Sequence, residues 1–168
     1  RYEDDYHYEL MQNGRIDRVD LHNQSDEFRE IPSDLEHDMF QCAESDLSED
    51  MHSTAWITQS ALREIESWRE EDSHLLMVGY IKPHHPFDPP HPYSEMYDPE
   101  SLTLPAGYTA HPLDCDTATN GGIVDYNQMS EVQLRRILAY YYGAITQIDD
   151  GIGEIVALLK KKGVYDDT

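Results

Sequence analysis

The stretch Leu75-Leu76-Met77-Val78-Gly79-Tyr80-Ile81-Lys82-Pro83-His84-His85-Pro86-Phe87-Asp88-Pro89-Pro90 decides how this sequence is interpreted. It begins as an apolar run of strand length, and its β-branched and aromatic residues favour a buried strand. Because Pro83 lacks a backbone N–H donor, a central strand cannot continue beyond Lys82. Ligands of open α/β sheets bind beyond the carboxyl ends of the strands, so the segment predicts a strand that ends at a functional loop.

Helices are predicted on both sides of this strand. Ser53 or Thr54 suits the N-cap of the first helix, whose apolar face recurs in steps of four, four and three: Ile57, Ala61, Ile65 and Trp68. Ser130 and Gln133 form a capping box at the start of a much longer helix that ends at Gly163. Its apolar positions recur in steps of three and four: Leu134, Leu138, Tyr141, Ile145, Ile148, Ile152, Ile155 and Leu159.

This order of elements predicts the fold class. A helix that leads directly into an apolar strand is half of a βαβ unit, which indicates an α/β protein with helices on a mostly parallel sheet. Gly143, Gly151 and Gly153 would weaken a free-standing helix. They instead favour a long helix that closely approaches one face of the sheet.

The charge of the chain excludes two classes of partner. With 34 acidic and 12 basic residues the formal net charge is −22, whereas nucleic acids and anionic membranes are bound through basic surfaces. No apolar run approaches the length of a membrane span. Cys42 and Cys115 are too few and too far apart for a disulfide framework or a Cys-x-x-Cys metal pair.

Residues 1–51 are predicted to be an acidic, variable segment with short helices. Residues 6–11 suit a helix that stops at Asn13-Gly14. The acidic run 46–50 lacks the glycine and the alternating oxygen ligands of an EF-hand loop, so a solvated surface is favoured over a Ca²⁺ site.

The loop that follows the predicted strand is stiff, because five of the nine prolines lie between Pro83 and Pro92. Residues 93–128 then show neither helical nor strand periodicity, which indicates a segment that is functional or held by the rest of the protein. Its tyrosines suit a substrate rim or anchors to the protein body, and anchoring is favoured: Tyr93, Tyr97, Tyr108 and Tyr126.

The segment Lys82-Pro83-His84-His85-Pro86-Phe87 resembles the Lys/Arg-Pro-His-x-Pro-Phe loop of the type I sulfatases and the related phosphonate monoester hydrolases. The resemblance continues in Thr54-Ala55-Trp56-Ile57-Thr58-Gln59-Ser60-Ala61, in Pro92-Tyr93-Ser94-Glu95-Met96-Tyr97-Asp98-Pro99 and in Leu102-Thr103-Leu104-Pro105. Residues 140–168 are similar to the long helix that leads to the family's metal-binding strand. Residues 52–168 are therefore interpreted as the central part of a sulfatase-like α/β domain, incomplete at both ends.

The resemblance implies an alkaline-phosphatase-like sandwich, a formylglycine nucleophile made within a Cys/Ser-x-Pro-x-Arg motif, and a divalent metal, usually Ca²⁺. Neither Cys42-Ala43-Glu44-Ser45-Asp46 nor Cys115-Asp116-Thr117-Ala118-Thr119 fits the nucleophile motif, and the sequence contains no Asp-His-Gly metal motif. The nucleophile and the metal ligands are expected outside this chain. The chain by itself is predicted to be inactive.

The predicted substrate-binding residues are Lys82, His84 and His85. By the resemblance, His84 is the catalytic histidine that contacts the sulfate group or the leaving oxygen, and imidazole chemistry near neutral pH suits both tasks. His85 replaces it if the register is shifted by one residue, and a histidine bound only to backbone is the structural alternative. A Zn²⁺ site that includes Asp88 and His91 is disfavoured, because their spacing is not a zinc pattern. Asp149-Asp150 is interpreted as a surface pair.

The sequence thus predicts a sulfatase-type hydrolase that cleaves sulfate esters of a small molecule or carbohydrate. The first alternative is a phosphonate or phosphate ester hydrolase of the same superfamily. The second is a non-catalytic, acidic binding module that uses the stiff loop as its ligand rim. The long apolar face of the last helix argues against the module, because one strand cannot cover that face.

Overall fold

The computed structural model describes residues 4–19, 42–69, 71–109 and 129–168. Its frame consists of α1 (Asp5–Gln12), α2 (Ser53–Ser67) and α3 (Glu131–Lys162). Short 3-10 helices lie at Glu49–Met51, Tyr93–Glu95, Pro99–Ser101 and Tyr165–Asp167. α2 packs against α3, and the two middle 3-10 helices also lie on α3. No helix in these ranges has the length and apolar character needed to cross a lipid bilayer.

The ends of the helices follow local sequence signals, with one exception. The predicted capping box of Ser130 and Gln133 is confirmed at the start of α3. Gly163 ends that helix in the left-handed conformation, with φ 74°. At the start of α2 the cap is His52, whose side chain accepts the N–H of Thr54 at 3.4 Å, so the prediction of Ser53 or Thr54 as the cap is wrong.

α1 packs on the start of α2. The contact is a small apolar cluster in which Tyr6, Leu10 and Leu47 are buried, with Met51 and Trp56 packed against them. The indole N–H of Trp56 also donates to Glu9 of α1 at 2.7 Å. The predicted short helix near the N-terminus is therefore confirmed, and it is joined directly to the rest of the chain.

The segment predicted as a buried strand has no strand partner among the described residues. Leu75 is 97% exposed and Met77 is 92% exposed, whereas the alternate positions from Leu76 to Tyr80 are half-buried. This alternation is typical of a strand with one covered face. The Tyr80 hydroxyl lies 2.9 Å from Oγ1 of Thr58, so the covered face is turned toward α2. A sheet needs neighbouring strands, and the described residues contain one isolated parallel bridge, so the predicted sheet is not confirmed.

The buried face of α3 follows the predicted apolar seam only in part: Leu159 is buried and five further positions of the seam are half-buried. Ile145 and Ile152 belong to that seam, but they are 40% and 45% exposed. The residues buried along the helix include a small or polar side chain at every fourth position: Ala139, Gly143, Gln147 and Gly151. The helix is therefore covered along a stripe of mainly small residues, where a neighbouring segment can approach its backbone.

Two glycines mark these close approaches. A Cβ placed at Gly143 would overlap the backbone carbonyl of Tyr93, and a Cβ at Gly151 would overlap the hydroxyl of Thr58. The predicted close approach exists at these two positions, with a 3-10 turn and α2 as the partners; at Gly153 the prediction is wrong, because its site is open. An approach to a sheet is not confirmed.

We expect Gly143→Ala to lower the free energy of unfolding by roughly 1–3 kcal/mol, because the new methyl group meets a backbone carbonyl and forces the packing apart. Gly153→Ala is the matched control. Its site on the same helix is open, and alanine is favoured over glycine there by up to about 1 kcal/mol. Urea unfolding followed by circular dichroism measures both changes. Equal effects of the two substitutions would contradict the close approach at Gly143.

Candidate active site

The predicted site lies on the proline loop, which we define as residues 82–92. The loop pairs with residues 42–45 in parallel: the N–H of Ala43 donates to the carbonyl of Phe87 at 3.2 Å, and the N–H of Ser45 donates to Pro89 at 3.3 Å. Asp88, Pro89 and Pro90 are fully buried. The second half of the loop is therefore attached to the protein body by backbone pairing and by burial.

A buried ion pair closes the first half of the loop. Nζ of Lys82 pairs with Oδ1 of Asp88, and these residues are 5% and 0% exposed. The same ammonium group donates to the carbonyl of Pro86 at 3.0 Å. One lysine side chain thus connects the start of the loop to two later positions, and residues 83–87 form a closed turn between them.

His52 lies next to this ion pair, at the start of α2. It is fully buried, and its Nε2 is 4.0 Å from Oδ2 of Asp88. Because the N–H of Thr54 donates to Nδ1, the proton of the neutral ring is on Nε2. Burial lowers the pKa of His52, and the nearby charge of Lys82 lowers it further, to about 4. The ring is therefore neutral at pH 7.

His84 lies on the exposed side of the same loop. Its backbone N–H donates to the carbonyl of Ile81 at 3.2 Å, and its Nδ1 lies 2.8 Å from the carbonyl oxygen of His85. A carbonyl can only accept, so Nδ1 carries the proton and Nε2 is left as the ring atom that can exchange one. The His85 ring packs edge-on against His84, with 4.1 Å between ring centroids.

The structure therefore places the predicted site residues on two sides of the loop. His84 is exposed and His85 is half-buried, whereas the ammonium group of Lys82 is buried against Asp88. Sequence reasoning missed His52 altogether. No local signal links a residue at a helix start to a loop so far along the chain.

Two tyrosines attach the segment after the loop. The buried Tyr93 hydroxyl lies 3.0 Å from Glu49 and 2.9 Å from Asp150 of α3. Burial raises the pKa of Tyr93, and the two carboxylates raise it further. The Tyr97 hydroxyl lies 2.8 Å from Oγ1 of Thr146. The anchoring role is thus confirmed for Tyr93 and Tyr97; Tyr126, like Cys115, lies outside the described residues.

Comparison with known proteins assigns the family. A family model described as Sulfatase matches residues 5–168. The chain belongs to the sulfatase family. An arylsulfatase of Clostridium perfringens (strain 13 / Type A) is 29% identical over 121 residues, which cover 71% of this chain and 25% of the relative. The multifunctional alkaline phosphatase superfamily protein PehA of Trinickia caryophylli is 30% identical over 139 residues, which cover 74% of this chain and 27% of PehA.

The family resemblance seen in the sequence is therefore confirmed. Membership of this family implies an α/β fold for the chain. The chain spans about a quarter of the length of the two curated relatives. The family match includes most of the acidic N-terminal segment, since it begins at residue 5.

Sulfatases generally use a divalent metal, and the described residues contain one cluster of possible ligand atoms. Glu44, His91 and Glu95 bring one ligand atom each within 4.8 Å of one another, and all three are exposed. Glu44 also accepts a hydrogen bond from the Ser94 hydroxyl. Ca²⁺ takes six to eight oxygen ligands, and an imidazole nitrogen with two exposed carboxylates does not suit it. We derive no catalytic step from this cluster.

The lowered pKa of His52 has a consequence for stability. As the pH falls below the ordinary histidine value of 6.5, the unfolded chain takes up a proton before the folded chain does. Above that pH the residue leaves the free energy of unfolding unchanged. Between pH 6.5 and about 4 it lowers that free energy.

We expect the stability difference between the wild type and His52→Asn to shrink by on the order of 2 kcal/mol from pH 7 to pH 4.5. Asparagine retains an oxygen that can cap α2 and does not titrate. Urea unfolding at both pH values measures the difference. Gly143→Ala is the control, because it destabilises the protein without removing a titrating group. A His52→Asn difference that stays constant with pH would contradict the buried neutral ring.

Proposed function

We propose that the full-length protein hydrolyses sulfate esters, with His84 as the proton donor to the leaving oxygen. Three observations support the proposal: membership of the sulfatase family, the arylsulfatase relative and the position of His84. The last of these carries the assignment of the residue. His84 is exposed on a loop whose other side is buried, its Nδ1 is engaged by a carbonyl, and its Nε2 remains for proton exchange.

The proposed role follows from the chemistry of ester cleavage. The oxygen of the departing alcohol gains negative charge as its bond to sulfur breaks, and a protonated imidazole can neutralise that charge by donating its Nε2 proton. The same cation attracts the anionic sulfate group before the reaction. This local positive charge matters because a chain with net charge −22 repels anions at long range.

We propose substrate binding for His84 and His85, whose rings lie together on the outer side of the loop. For Lys82 we propose a role other than the expected contact with substrate, because its ammonium group is buried against Asp88. A formylglycine nucleophile and a divalent metal, with Ca²⁺ as the candidate, would be supplied by segments outside this chain. The metal would polarise the ester and stabilise its charge.

We also propose that residues 75–81 form a strand of a mostly parallel sheet whose other strands lie elsewhere in the protein. The alternating exposure of this segment supports the proposal, since it leaves one apolar face open. Residues 1–51 would then be an acidic variable segment, and residues 52–168 the central part of the sulfatase-like domain.

A phosphonate or phosphate ester hydrolase is the second candidate. It is favoured by the similarity to PehA, whose name describes a multifunctional member of the alkaline phosphatase superfamily. Rates of the full-length protein on 4-nitrophenyl sulfate and on a phenylphosphonate monoester would decide between the two. We expect the higher kcat/KM for the sulfate; a clearly higher value for the phosphonate would reverse the assignment.

We expect His84→Ala to lower kcat by roughly a hundredfold or more, the range observed for positioned acid–base groups. The loss should be larger for phenyl sulfate than for 4-nitrophenyl sulfate, because the poorer leaving group depends more on proton donation. Steady-state kinetics of the full-length protein measure both. His85→Ala is the comparison: if it abolishes turnover while His84→Ala does not, the catalytic position is His85.

A further inference from the structure

We propose that Lys82 and Asp88 are positioning residues, whose buried ion pair closes the proline loop and holds the His84 ring at the reacting bond. The inference rests on the proposed role of His84. By this inference Lys82 lies behind the reacting groups and does not bind substrate. Asp88, which no sequence motif marked, affects turnover through the position of His84.

The contacts of Lys82 carry the first step of the inference. Its Nζ binds both the Asp88 carboxylate and the Pro86 carbonyl. These two contacts span residues 83–87, the turn that presents His84 and His85. Pro83 and Pro86 have no N–H, so the turn offers few backbone donors that could bind the Pro86 carbonyl. A side-chain cation therefore provides a contact that the backbone lacks.

Burial carries the second step. Lys82 is 5% exposed and Asp88 is 0% exposed. A buried ion pair is weak evidence for stability, since a well-packed apolar pair of similar volume is often at least as stable. A buried pair that carries such a penalty suits a geometric task better than a stabilising one. The direction of its contacts identifies that task as the closure of the histidine turn.

His52 carries the third step. Its ring is fully buried, its Nε2 is 4.0 Å from Asp88, and burial together with Lys82 keeps it neutral at pH 7. A neutral ring next to the carboxylate adds no charge that would compete with Lys82 for Asp88. The start of α2 thus lies beside the buried ion pair, within the protein interior.

The inference is tested by kinetics of the full-length protein on matched 4-nitrophenyl and phenyl esters of the acid that it hydrolyses. We expect Asp88→Asn to lower kcat for the phenyl ester by roughly a hundredfold, the effect of a small misplacement of a catalytic group. The loss for the 4-nitrophenyl ester should be smaller, with KM changed by less than about threefold. Loss of folded protein would lower both rates equally, so the selectivity reports the position of His84.

Two double variants make the test specific. Asp88→Asn combined with His84→Ala should be no slower than His84→Ala alone, because the positioned group is already absent. Lys82→Met combined with Asp88→Asn removes both charges, so it leaves no unpaired buried charge and keeps the test valid if a single variant folds poorly. It should show the same selective loss as Asp88→Asn. Tyr97→Phe is the control, since it removes a partly buried polar contact to Thr146 that lies outside the proline loop and its ion pair.

The possible outcomes separate the two proposals. If His84→Ala affects neither ester, the role of His84 fails and the positioning inference fails with it. If His84→Ala is selective for the phenyl ester but Asp88→Asn lowers both rates equally, the positioning inference alone is overturned. A large rise in KM for Lys82→Met without one for Asp88→Asn would also overturn it, and would identify Lys82 as a substrate-binding residue.

Discussion

The buried ion pair between Lys82 and Asp88 is the constraint on which the geometry of the proline loop depends. Charges inside a protein are tolerated only when they compensate each other, and the loss of one partner typically costs about 3–5 kcal/mol. The pair is enclosed on one side by the start of α2, through His52, and the loop that carries it is paired with residues 42–45. The histidine turn is therefore attached to a rigid interior even though it faces outward.

The close packing of α3 against the following turn extends this constraint. The absence of a side chain at Gly143 lets the carbonyl of Tyr93, directly after the loop, approach the helix backbone more closely than a Cβ would permit. Tyr93 in turn connects the 3-10 helix Glu49–Met51 to Asp150. The end of the loop is thus held between α3 and the segment that precedes α2. α3 therefore supports the loop in addition to forming part of the core.

Features that depend on neighbouring residues were predictable from the sequence. The capping box at Ser130 and the helix end at Gly163 involve side chains and backbone within one turn, so a short pattern specifies them. Burial depends on which segments come together, and periodicity does not report that. Ile145 was predicted to be covered and is exposed, whereas the small residue at Gly143 lies against another segment. His84 was found through its resemblance to a family motif, but His52 joins the site only in three dimensions.

The open face of residues 75–81 has a consequence for the behaviour of the protein in solution. Leu75 and Met77 form an exposed apolar row along a segment of strand-like alternation. The backbone of an uncovered strand of this kind can pair with a second copy of the same segment. The net charge of −22 opposes this contact, because like-charged chains repel each other. Salt shortens the range of that repulsion. Any form of the protein that leaves this row uncovered should therefore be most soluble in dilute buffer and should self-associate as the ionic strength rises.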